Sequence, residues 1–115
     1  MKYTHQITNG ILELTFSGDL IGENNGPAII ELVNDVLSQE VFLCAVDISN
    51  VRYINSSGIG VLITLLTKFR NKGGEVVLIK PSEQVKKLLI ITKLNAIFNV
   101  VERKEDAIDR LKKEA

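Results

Sequence analysis

The sequence predicts an α/β domain: a mixed, mostly parallel sheet with an antiparallel N-terminal hairpin and about four helices. The first observation is Asn9-Gly10, which separates two alternating segments. This dipeptide is a strong hairpin signal because both central positions of a type I′ turn need positive φ. The second is that apolar runs and helix-periodic segments alternate after the hairpin. Strands separated by helices run parallel through right-handed crossovers, which predicts the rest of the sheet.

The hairpin is predicted to consist of strands over 3–8 and 11–16. In the second strand, Leu12, Leu14 and Phe16 alternate with polar residues. This period of two is typical of a strand with one buried face.

The chain after the hairpin is expected to pass through a loop into the first helix. Residues 22–27 have loop composition, and Pro27 suits the first turn of a helix over 27–38. The apolar run 41–46 then predicts a strand covered on both faces. Residues 47–55 are expected to carry the chain from that strand toward the next helix.

The remaining elements continue the alternation. The helix that follows residues 47–55 is expected to stop at Gly73-Gly74, since glycine favours helix C-termini. Apolar spacing predicts helices over 57–72, 82–93 and 104–113, with strands over 75–80 and 98–101.

Composition excludes several classes of function. The length of 115 residues fits a single domain over 1–115. The 14 basic and 14 acidic residues cancel, which argues against nucleic-acid binding. No apolar run reaches the roughly 18–20 residues that span a bilayer, and one cysteine, Cys44, suits a reducing cytoplasm. With a single cysteine and a single histidine, neither the usual zinc site nor a serine triad is favoured.

The stretch 47–62 carries the most information about function. It leaves the carboxyl end of a central strand, where open α/β sheets usually bind ligands. Ser56 and Ser57 lie at the helix entrance, where serine favours the N-cap. Gly58 and Gly60 could let a backbone or a phosphate approach closely. The residues alone leave a plain capping role open, while a phosphate loop lacks its lysine and a serine nucleophile lacks a local base.

This stretch resembles the signature of the STAS domain, specifically that of bacterial anti-sigma factor antagonists. The residues that carry the resemblance are Asp47-Ile48-Ser49-Asn50-Val51 and Ser56-Ser57-Gly58-Ile59-Gly60, supported by Gly18-Asp19-Leu20 near the hairpin. The resemblance implies a STAS fold and a regulator rather than an enzyme, with no cofactor of its own. It also implies partner switching: the unphosphorylated antagonist binds an anti-sigma factor that is a serine kinase, and thereby frees the sigma factor.

The resemblance also implies the position of the switch. The kinase uses ATP and Mg²⁺ to phosphorylate the first serine of the pair, and a PP2C-type phosphatase reverses the reaction. Matched by position, Ser56 is the phosphoacceptor and Ser57 is the second choice. The implied partner-binding surface comprises Asn55, Ser56, Ser57, Gly58 and Gly60, with Glu23 and Asn24 from the loop before the first helix.

Asn55 departs from the family pattern, because the family usually has Asp at this position. Asparagine keeps an acceptor oxygen but loses the charge and adds two donors. A different function on the same fold is an interaction subunit of another cytoplasmic assembly, such as a lipid-transport ABC complex. A small nucleotide-binding or hydrolytic protein is a third interpretation, although it lacks a phosphate loop, a metal cluster and a base.

Overall fold

Residues 2–114 form a sheet of five strands with helices on both faces. The computed structural model of the chain describes these residues, and it describes their side chains except at 22–25 and 114. The strands are β1 (Lys2–Thr8), β2 (Ile11–Leu20), β3 (Leu43–Ile54), β4 (Glu75–Ile79) and β5 (Asn99–Val101). The helices are α1 (Gly22–Ser38), α2 (Ser56–Asn71), α3 (Glu83–Ile91) and α4 (Lys104–Glu114), and a 3₁₀ turn spans Leu94–Ala96.

The strands follow the order β1-β2-β3-β4-β5, in which β1 is antiparallel to β2 and each later pair is parallel. Asn9 and Gly10 have φ of 52° and 79°, as the predicted hairpin turn requires. The predicted α/β fold class is therefore confirmed, including its antiparallel N-terminal hairpin.

Two layers of helix cover the sheet. On one face, Val33 of α1, Leu62 of α2 and Val85 of α3 belong to the larger apolar cluster. On the other face, α4 contributes Ala107 and Leu111 to a smaller cluster. Alternate residues of the inner strands feed the two clusters, which is the pattern expected of a sheet buried on both sides.

The first helix begins earlier than the sequence predicts. Residues 22–27 are helical rather than loop, and Pro27 lies inside α1. Proline lacks an N–H and disfavours helix interiors, so this start overrides local propensity. Gly26 is buried, and a Cβ there would lie only 3.2 Å from the Val61 side chain of α2. We infer that this close contact between α1 and α2 favours the additional helical turn.

The third strand is longer than predicted, and residues 47–54 belong to it rather than to a connecting segment. Its partner β2 also extends beyond the predicted residue 16, to Leu20. The ten residues of β2 pair with the twelve of β3 because the register shifts twice. These shifts are β-bulges, which place extra residues on one strand. As a result Ile48, Val51 and Ile54 are all buried at a spacing of three, which hides the strand period.

The other boundaries lie close to the predicted ones. They differ by at most two residues, as at the end of α3, which stops at Ile91 instead of residue 93. Lys93 has a left-handed φ of 62°, which interrupts the helix before the 3₁₀ turn. Among residues 2–114, no helix combines the length and the apolar character needed to cross a membrane.

Candidate functional site

A single residue, Asn55, separates the end of β3 from the start of α2. It is the N-cap of α2, with extended backbone angles of −92° and 179°. Its side-chain oxygen accepts the Gly58 amide hydrogen at 2.8 Å and the Ser57 hydroxyl hydrogen at 2.9 Å. Its own backbone amide donates to the Leu20 carbonyl at 3.3 Å. Asn55 therefore joins the start of α2 to the end of β2 as well as to β3.

The expectation that a serine caps this helix is wrong. Asn55 is the cap, so Ser56 and Ser57 are the first and second residues of α2. Asparagine and serine are comparably good N-caps, so residue type alone does not decide between Asn55 and the two serines. The Ser56 side chain is exposed, whereas Ser57 is half-buried and its hydroxyl donates to the cap.

The electrostatic setting of Ser56 favours a negative charge. The first turn of a helix presents backbone amides and the positive end of the helix dipole. The first turn of α2 contains no acidic residue, and its last turn contains Lys68 and Arg70. An anion placed on the Ser56 hydroxyl would therefore meet favourable backbone charge without a carboxylate in the same turn.

The two glycines of the motif have different surroundings. Gly58 is buried, and a Cβ there would lie 2.2 Å from the Leu20 carbonyl oxygen and 3.0 Å from Ile54. A Cβ at Gly60 would meet nothing within 4 Å. The close approach expected of these glycines is thus made at Gly58 by the protein's own backbone, while Gly60 borders open space.

The predicted partner-binding surface also includes Glu23 and Asn24, which lie at the same end of the strands as the start of α2. Their backbone lies in the first turn of α1 instead of a loop, immediately after β2. Because Leu20 pairs with Ile54, helices α1 and α2 begin at neighbouring strand ends. The side chains of Glu23 and Asn24 lie outside the described residues.

Sequence reasoning missed a groove beside this edge. It has a volume of about 290 Å³ and is lined by Arg52, Tyr53, Ile54, Gln84, Val85 and Leu88. Tyr53 is 54% exposed, a large value for an aromatic side chain. Arg52 donates two hydrogen bonds of 3.2 Å to the Asp19 carboxylate, and these bonds raise the pKa of its guanidinium. The sequence feature that could have indicated this groove is the pair Arg52 and Tyr53, which are non-aliphatic residues between Val51 and Ile54.

Metal and thiol chemistry have little support at this site. Residues 2–114 contain no cluster of three or more His, Cys, Asp or Glu side chains placed to hold a metal ion. Cys44 is fully buried, and burial raises the pKa of its thiol well above its usual range.

Comparisons with known proteins agree with this architecture. A Thermotoga maritima protein named "putative anti-sigma factor antagonist" is 27% identical over 66 residues, which cover 57% of this chain and 58% of that protein. The chain therefore matches little more than half the length of this curated relative.

Solved structures are similar over nearly the whole fold. The crystal structure of a Thermotoga maritima protein with the same name gives a TM-score of 0.86 at 23% identity, covering 96% of this chain and 94% of that one. The anti-sigma factor antagonist SpoIIAA in its unphosphorylated form gives 0.82 at 18% identity, covering 97% of each chain. At these identities the similarity establishes the fold.

The family is established by sequence. The family model for the STAS domain matches residues 2–107, from the first strand into the last helix. The matched region includes the hairpin, the five-stranded sheet and the Asn55-capped start of α2. The chain belongs to the STAS domain family.

Proposed function

We propose that the protein is an anti-sigma factor antagonist whose binding surface surrounds the start of α2 and is switched off by phosphorylation of Ser56. The observation that carries the proposal is the exposed Ser56 side chain at the first position of α2. The family membership and the name of the Thermotoga maritima relative support the class of partner.

The division of labour between neighbouring residues supports Ser56 as the modified serine. Asn55 caps the helix and the Ser57 hydroxyl donates to that cap, so modification of Ser57 would disturb the cap. Modification of Ser56 leaves both bonds in place. A phosphate adds about −1.5 to −2 charges and three acceptor oxygens, which the helix N-terminus tolerates. The fold is therefore expected to persist while the exposed surface becomes strongly negative.

The loss of partner binding follows from this change of charge. A surface fitted to a neutral hydroxyl must desolvate and accommodate the phosphate, and about 1.4 kcal/mol reduces affinity tenfold. We propose that the partner is a serine-kinase anti-sigma factor that uses ATP and Mg²⁺, and that a PP2C-type phosphatase restores binding. The sheet edge shared by the starts of α1 and α2 forms the docking surface in this proposal, including Gly60 and the first turn of α1.

In this proposal, Asn55 affects which contacts the kinase can make beside Ser56. Its oxygen accepts two hydrogen bonds, and an aspartate could accept the same two. The cap is thus retained without a carboxylate beside Ser56. Kinase contacts that need only the shape of the helix start survive, whereas a contact to a basic group or a metal ion is weakened.

The proposal is tested by phosphorylation of the full chain with a serine-kinase anti-sigma factor that binds it, followed by mass spectrometry. We expect phosphate on Ser56, none on the Ser56→Ala variant, and retained phosphorylation of the matched Ser57→Ala variant. Ser56→Asp should weaken binding to the same kinase by about tenfold or more. Phosphate on Ser57 alone, or binding unaffected by Ser56→Asp, would overturn the assignment.

A kinase that binds the chain but transfers no phosphate would give a separate result. In that case Asn55→Asp, which restores a carboxylate next to Ser56, should enable phosphorylation. Failure of this variant as well would show that the chain acts by binding alone, without the proposed switch.

A further inference from the structure

The outer edge of β1 has the properties of a strand that pairs with another strand. All seven residues of β1 pair with β2 in continuous register, from Lys2 with Ser17 to Thr8 with Ile11. Six of the seven are exposed, and Tyr3 is half-buried. Among the described residues, the backbone of residues 2–8 makes no backbone–backbone hydrogen bond beyond this ladder. One side of the β1 backbone therefore presents unpaired donors and acceptors.

Edges of this kind are normally protected. Proteins shorten an edge strand, interrupt it with proline or a bulge, or place charges along it, because a regular edge is a template for another strand. The opposite edge strand, β5, follows this rule with only three residues. Strand β1 has no proline and no bulge, and Lys2 is its only Lys, Arg, Asp or Glu residue.

We propose that β1 pairs antiparallel with β1 of a second copy of this chain, forming a continuous sheet across a two-fold axis. Two-fold symmetry closes the assembly and uses the same surface on both copies. The register that overlaps the whole strand is centred on His5. It places Tyr3 opposite Ile7, Thr4 opposite Gln6 and Lys2 opposite Thr8 of the second copy.

The side chains are complementary in this register. Ile7 is 41% exposed. In the dimer, Ile7 of each copy lies opposite Tyr3 of the other copy. Aromatic and β-branched side chains directly opposite one another stabilise paired strands. The two Lys2 residues lie at opposite ends, about 20 Å apart at 3.4 Å per residue, so the lysines do not face each other. His5 of each copy lies opposite His5 of the other. A parallel in-register pair would instead place Lys2 beside Lys2.

The inferred dimer is independent of the proposed switch. Strand β2 separates β1 from β3, so the contact does not require residues of the α2 start. A contact between two short strands also buries little area, and such interfaces are weak. The dimer is therefore expected to form at high protein concentration and to dissociate on dilution.

Sedimentation equilibrium of the full chain over a wide concentration range tests the inference. The matched variants Thr4→Lys/Gln6→Lys and Thr4→Glu/Gln6→Lys differ only in the sign of charge at position 4. The first places lysines opposite one another and should weaken dimerisation about tenfold or more, while the second creates opposite-charge pairs and should preserve or strengthen it. In both variants position 6 lies beside Glu13, to which Gln6 donates at 3.1 Å.

Thermal denaturation of both variants, monitored by circular dichroism, establishes that they are folded. A wild-type chain that stays monomeric up to about 1 mM would overturn the inference, since contacts weaker than this carry little binding energy. A dimer that responds equally to both double variants would also overturn it, because the contact would then lie elsewhere.

Discussion

The side-chain oxygen of Asn55 accepts the backbone hydrogen of Gly58 across 2.8 Å, and this bond closes the first turn of α2. It satisfies one of the amides that every helix leaves unpaired at its start. Because the cap precedes both serines, capping and the proposed modification of Ser56 fall on different residues. The Ser56 hydroxyl can therefore change chemically while the helix start keeps its geometry.

Loss of the cap should be measurable as a loss of stability. Asn55→Ala is expected to lower the free energy of unfolding by about 1 kcal/mol, the usual effect of removing an N-cap. Asn55→Asp should keep or raise stability, because a carboxylate at a helix N-terminus is favourable. Urea denaturation measures both. Ser56→Ala is the matched control and should change stability by less than about 0.5 kcal/mol; an effect equal to that of Asn55→Ala would contradict this account of the cap.

The two glycines of α2 should respond to alanine in opposite directions. Gly58→Ala places a methyl group against the Leu20 carbonyl, which is backbone, and should destabilise by about 2 kcal/mol or more. Gly60→Ala enters open space and should stabilise by roughly 0.5–1 kcal/mol through helix propensity. Chemical denaturation of the two variants side by side provides the comparison. Equal effects of the same sign would show that the start of α2 is not packed as described.

Local signals predicted most of this fold, and tertiary contacts account for the differences. The Asn9-Gly10 turn and the apolar periods of the helices depend on neighbouring residues, so the sequence reveals them. We infer that the early start of α1 depends on packing of Gly26 against α2, while the full length of β3 is accompanied by pairing with β2. Neither contact leaves a local pattern.

The place of Ser56 in the secondary structure was predicted, whereas the capping residue was not. Ser56 lies at the helix start as expected, while the cap is one residue earlier than a serine cap would place it. Residue type could not decide this, because asparagine and serine cap comparably. The exposed Tyr53 was missed because a strand with bulges no longer alternates.

The contact between Glu13 and Lys104 should make stability depend on pH. Glu13 is only 12% exposed, and a hydrogen bond from Lys104 lowers the pKa of its carboxyl. A carboxyl with a lowered folded-state pKa stabilises the fold above its unfolded-state pKa, about 4.3, and this stabilisation is lost as pH falls through the folded-state value.

Lys104→Met should therefore reduce stability at neutral pH by up to about 1 kcal/mol. The difference from wild type should shrink as the pH is lowered below about 4. Urea denaturation at several pH values measures it, with Lys112→Met on the same helix as a control that should show little effect. A difference independent of pH would indicate lost packing rather than a lost ion pair.

The single thiol should be inert in the folded protein. Cys44 is fully buried, and burial raises the pKa of its thiol, so the reactive thiolate is scarce. We expect negligible reaction with a disulfide reagent at pH 8, and stoichiometric reaction in denaturing urea. Rapid labelling of the native chain would contradict the burial of this strand.

The difference in length between β2 and β3 determines where α1 and α2 start relative to each other. Because two residues of β3 are absorbed as bulges, ten residues and twelve residues finish level with each other. Only then does the amide of Asn55 reach the carbonyl of Leu20, at 3.3 Å. Deletion of one residue between Ser49 and Tyr53 would shift the start of α2 relative to the start of α1. The Leu20 carbonyl would then lose the Asn55 amide as its donor. The length difference between β2 and β3 thus determines where Ser56 lies relative to the end of β2.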